Sequence, residues 1–72
     1  MSLVYRRVDK VLSGNAGGEV CEGDCLLLET VGEPGKGELT LVRREGIESL
    51  CRWDDSRSEA VLGIVVGIKR KL

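Results

Sequence analysis

The candidate nucleophiles of this 72-residue chain are three cysteines, Cys21, Cys25 and Cys51, and five serines, Ser2, Ser13, Ser49, Ser56 and Ser58; histidine is absent. Without imidazole, a Ser-His-Asp triad and a Cys-His pair are excluded. What remains is a serine or cysteine activated by a lysine, which must lie within hydrogen-bond reach and be desolvated enough to act as a base. The lysines are Lys10, Lys36, Lys69 and Lys71. All four lie in stretches that read as solvent-exposed, so a serine–lysine pair is not expected.

The spacing Cys21-x-x-x-Cys25, with Cys51 further on, offers three thiolates to a metal. A structural zinc site takes four ligands, commonly as two close pairs, and here the fourth would have to be a carboxylate or come from another chain. Cys25 opens an apolar run and Cys51 lies between Leu50 and Arg52 in an expected strand. Both therefore read as small packing residues rather than ligands. The odd cysteine count argues against a disulfide framework, so all three are read as reduced. No metal and no cofactor are expected.

Cationic side chains gather at Arg43-Arg44, at Arg52 and at Lys69-Arg70-Lys71. Glu38, Glu45, Glu48, Asp54 and Asp55 interleave with them, the formal net charge is -1, and the only aromatics are Tyr5 and Trp53. That pattern describes a solvated face of mixed sign rather than a nucleic-acid stripe with stacking platforms. The glycine-rich stretches are followed by no helical pattern and match no phosphate-binding fingerprint, so they read as turns, and no small-molecule ligand is expected.

These side chains must be positioned by strands. Ten glycines punctuate apolar segments of strand length, and with 3% aromatic residues the core must be built from Val, Leu and Ile. The segments read as strands over Leu3–Leu12, Cys25–Val31, Leu39–Arg44, Ile47–Trp53 and Ala60–Ile68, with loops at 13–18, 32–37 and 54–58. Glu45-Gly46 is a tight reversal between the third and fourth. The expected fold is all-β: a small, partly open, mostly antiparallel barrel of five to six strands forming one domain over 1–72, with no helix longer than about two turns. Its core is expected to include Val11, Leu27, Leu39, Leu41, Leu50, Val61, Ile64 and Val66. The longest apolar run, Ala60–Ile68, is about half of what a membrane-spanning helix requires, so no transmembrane helix is expected. No apolar signal region follows the basic residues near the amino terminus, and a cytoplasmic location is the expectation.

From Cys21 onward, three spaced features fall in one order: Glu22-Gly23-Asp24 before Leu26-Leu27-Leu28; Gly37-Glu38 before the Leu39–Arg43 strand and its return Ser49-Leu50-Cys51-Arg52; and Gly63-Ile64-Val65-Val66-Gly67-Ile68. Over these residues the chain resembles the carboxy-terminal barrel of LexA- and UmuD-like self-cleaving serine–lysine peptidases. The resemblance implies the barrel. It also implies a serine shortly upstream of the Gly-Asp turn and a lysine just before an arginine in the return strand, but Gly14 and Cys51 stand at those places. Ser13 is one residue away, and cysteine does not replace an amine base.

The expectation is therefore a non-catalytic barrel, not an enzyme, used for self-association or for binding another protein in a regulatory or stress-response setting. Two alternatives stand beside it: a divergent peptidase using Ser13 or Cys51 with a base from Lys10 or a second subunit, and an SH3-like barrel binding nucleic acid or peptide. The expected partner is a second copy or another protein, met through Val61, Ile64, Val65, Val66 and Ile68 of the last strand, because a thin domain cannot cover so long an apolar strand on both faces.

Overall fold

The computed structural model describes residues 2–70. They form β1 (Leu3–Arg7), α1 (Lys10–Gly14), β2 (Cys25–Glu29), β3 (Leu39–Arg44), β4 (Ile47–Arg52) and β5 (Ala60–Lys69). The strands make one antiparallel sheet in the order β1-β2-β5-β3-β4. The class is all-β, as expected, and the sheet does not close on itself: β1 and β4 are its two edges. It curls far enough that Arg6 on one edge forms an ion pair with Glu48 on the other.

Turn chemistry fixes the β3–β4 hairpin. Glu45 and Gly46 occupy its tip with φ of 53° and 79°, and positive φ at both central positions gives the twist that matches flanking strands. The register then runs from Arg44↔Ile47 to Leu39↔Arg52. It continues past the strand ends, where the Trp53 N–H donates to the Glu38 carbonyl and the Gly37 N–H to the Trp53 carbonyl.

The amino-terminal third departs from the expected strand over Leu3–Leu12. The strand stops at Arg7, and Asp9 turns the chain into α1 by accepting a hydrogen bond from the Leu12 N–H at 2.8 Å. An aspartate cap of this kind satisfies one of the donors a helix start leaves unpaired. In helical geometry Val11 turns away from the core and is 68% exposed, while Leu12 is buried. Val8, Leu12, Ala16 and Val20 then fill one side of the core, Val8 and Leu12 from what the sequence reads as a strand and Ala16 from what it reads as a loop.

The other core corrections follow from strand parity. Leu26 and Leu28 are buried and Leu27 is only half-buried, so the inward residues of the Leu-Leu-Leu run are its outer two. Strand β2 ends at Glu29, leaving Val31 exposed. On β5, register shifts opposite Leu27/Leu28 and Leu41/Val42 break the simple alternation. Val61 and Val66, expected in the core, are exposed as a result, whereas Leu39, Leu41, Leu50 and Ile64 are buried as expected. Each fully buried aliphatic side chain contributes about 1.5–3 kcal/mol.

Two contacts hold the chain close around this core. Gly63 lies where a Cβ would stand 3.0 Å from the Leu28 Cβ and 3.3 Å from the Glu29 carbonyl oxygen, so a larger residue there would require β2 to give by a few tenths of an ångström. The Asp24 carboxylate, buried at the turn into β2, accepts from the Cys21 N–H at 2.9 Å and pairs with Arg70 at 3.3 Å.

Candidate functional site

The cysteines are not brought together. Cys25 lies on β2 and Cys51 on β4, with β5 and β3 between them, and their ladder partners on β5, Lys69 and Ile64, are about 15 Å apart along that strand. Cys21 is exposed in the turn before β2, and all three are free thiols. Among the described residues no three metal-ligating side chains form a cluster.

Ser13 and Cys51 are also kept apart in orientation. Ser13 follows Leu12 on α1, which packs into the same core as Leu50. Cys51, next along β4, alternates to the other face and lies near Arg57. Burial pushes its thiol above the ordinary value, an effect that Arg57 partly offsets and that Glu59 and Asp54 reinforce. A thiol held protonated in this way is a poor nucleophile. Gly14 ends the helix and carries no side chain to the Asn15 turn.

Among the described residues the basic side chains are dispersed, and four of them are held in ion pairs. Arg52 binds Glu19 at 2.8 Å, Arg57 binds Glu59 at 2.7 Å, and Arg6 and Arg70 bind Glu48 and Asp24. Arg43 stands opposite Ala60, and Lys69 ends the same ten-residue strand, placing these two cations about 30 Å apart. Lys71 lies outside the described residues.

What the fold does assemble is an apolar outer face on the β1, β2 and β5 side of the sheet. Since Leu26 and Leu28 point inward, their neighbours Cys25, Leu27 and Glu29 point outward. Across the ladder from these stand Arg7, Tyr5 and Leu3 on β1. Gly67 and Lys69 stand opposite Leu27 and Cys25 on β5. On this face Tyr5 is 72% exposed and Leu3 45%. Gly67, having no side chain, leaves a shallow depression of about 210 Å³ lined by Tyr5, Cys25, Leu27, Gly67, Ile68 and Lys69.

The five β5 residues expected at an interface separate over this geometry. Val61, Val66 and Ile68 are exposed, Val65 packs partly against the core, and Ile64 is buried opposite Thr40 and Glu29. Strand β5 is hydrogen-bonded on both sides, by β2 and by β3. It can therefore offer a partner its face but not its edge. Tyr5 and Leu3 belong to the same face and were missed from sequence, because the mixed run Leu-Val-Tyr-Arg-Arg does not declare which side turns outward. A pairing of that run with the Leu26–Leu28 parity is the signal that was needed.

No protein-family model and no curated protein matches this chain. The fold and the face together describe an all-β domain with an uncovered apolar sheet surface.

Proposed function

We propose that this chain is a non-catalytic association module that binds protein through the outer face of β1, β2 and β5. The observation that carries the reading is that Leu3, Tyr5 and Leu27 share one face beside the depression at Gly67. Apolar groups gathered in this way mark a contact surface more often than singly scattered ones do. Tyr5 adds a large, rigid, amphipathic contact of the type enriched at protein interfaces. An association role is also what the resemblance to LexA-like barrels implies once the serine and lysine are missing.

Leu27→Glu places a charge on the face at a residue outside the core cluster, and Val11→Glu makes the same change on an exposed apolar residue away from it. Sedimentation velocity and retention of proteins on the immobilised chain compare both with the parent. Leu27→Glu is expected to weaken self-association or partner retention about tenfold or more, with Val11→Glu unchanged. Equal behaviour of the two variants and the parent would remove the reading.

A further inference from the structure

We propose that two copies of this chain join by antiparallel pairing of their β1 strands, in a register centred on Tyr5, so that Arg7 of each copy faces Glu29 of the other. The proposal rests on the association role argued above and names its partner.

The two edges of the sheet are finished differently. On β4, Asn15 takes the place of a neighbouring strand: its carbonyl accepts from the Leu50 N–H at 3.1 Å and its side-chain amide donates to the Glu48 carbonyl at 3.5 Å. Among the described residues β1 has no such cover, and Leu3, Val4 and Tyr5 lie exposed along it. An uncovered edge of this kind is a template for another strand.

Hydrogen-bond parity selects the register. The Val8 N–H donates to the Asp24 carbonyl at 2.8 Å and the Thr30 N–H to the Ser2 carbonyl at 2.9 Å. Backbone groups alternate in direction along an antiparallel strand, so Ser2, Val4, Arg6 and Val8 turn theirs toward β2. Those of Leu3, Tyr5 and Arg7 face the open edge. These residues are symmetric about Tyr5. A two-fold axis there matches Leu3 with Arg7, Tyr5 with Tyr5 and Arg7 with Leu3, and each match exchanges two N–H···O bonds. The two Tyr5 rings meet on the outer face as a cross-strand aromatic pair.

Charge identifies a second copy as the strand that fits. Arg7 stands across Cys25 from Lys69, so one corner of the outer face is basic. Glu29, opposite Leu3, makes the other corner acidic. Neither Arg7 nor Glu29 has an ion-pair partner among the described residues. In the Tyr5-centred register Arg7 of one copy lies across Leu3 of the other, with Glu29 one strand further, about 10 Å away in all. Arginine and glutamate side chains together span that gap. Centring on Arg7 instead opposes two guanidinium groups, which is unfavourable.

Sedimentation equilibrium at micromolar concentration tests the pairing. The parent chain is expected at twice its 7.8 kDa mass. Tyr5→Pro removes an edge-facing N–H that the β1–β2 ladder does not use, and is expected to be a folded monomer. Arg7→Glu and Glu29→Arg are each expected to raise the dimer dissociation constant about tenfold, and the Arg7→Glu, Glu29→Arg double variant to restore it. That rescue keeps the test decisive even where Tyr5→Pro fails to fold. A 7.8 kDa parent species overturns the proposal. So does a dimer lost in Leu27→Glu but indifferent to the charge variants, a result that would leave the outer face standing as the contact surface. A monomer that retains a different protein, and loses it in Leu27→Glu, likewise removes the second copy and keeps the face.

Discussion

Cys51 shows how a single position sets what the site can and cannot do. Burial is the largest influence on its thiol and raises the pKa of the folded state above the ordinary value. The stability linked to this group is fully present below the unfolded thiol pKa, about 8.5, and is lost as pH rises through the folded value. Alkaline conditions are therefore where folding weakens on its account. At neutral pH, iodoacetamide is expected to modify exposed Cys21 fastest and Cys51 slowest, with Cys51 catching up only as the solution is made alkaline. Peptide mass spectrometry resolves the three thiols, and equal rates at neutral pH would contradict the burial argument. Ser13 offers a second check: prolonged incubation of the parent chain and of Ser13→Ala is expected to give identical intact masses. A slow cleavage that disappears in the variant would restore the peptidase reading.

Among the elements, α1 is the one the sequence concealed. Its five residues are too few for periodicity to register, and its signal was a single capping residue, Asp9, inside what looked like a continuous strand. Asp9→Ala is expected to cost about 1 kcal/mol in denaturant unfolding, more than an exposed surface change but less than a core truncation; no loss at all would mean that α1 is held by Leu12 alone. Strands β3 and β4 were legible because Glu45-Gly46 announces the turn and fixes their register. Strand β2 was legible in existence but not in parity, since three consecutive leucines carry no alternation. The same lack of alternation hid the two register shifts in β5, and with them the exposure of Val61 and Val66. The candidate site was legible only at β5: Leu3 and Tyr5 enter it through a partner strand more than twenty residues away in sequence.

At the scale of the molecule, the core and the outer face respond to substitution in opposite ways. Leu26 is fully buried, and Leu26→Ala is expected to cost about 2–5 kcal/mol, a large share of the stability of so small a domain. Val66→Ala, on the half-exposed bulge of β5, is expected to change stability by less than about 0.5 kcal/mol. Urea unfolding followed by circular dichroism measures both, and a Val66→Ala loss as large as that of Leu26→Ala would place Val66 back in the core.

The position of β5 at the centre of the sheet has a consequence for the birth of the chain. Strands β1 and β2 form one ladder and β3 and β4 another, and in the sheet these ladders meet only through β5, which leaves the ribosome after the other four. Until then the nascent chain holds two hairpins with open inner edges, linked outside the sheet by the packing of α1 on β4. Pairing over such separations is slow because loop closure precedes its reward. The exposed interval ends when Ala60–Lys69 zips both ladders at once, so the sheet is not assembled before β5 has been made.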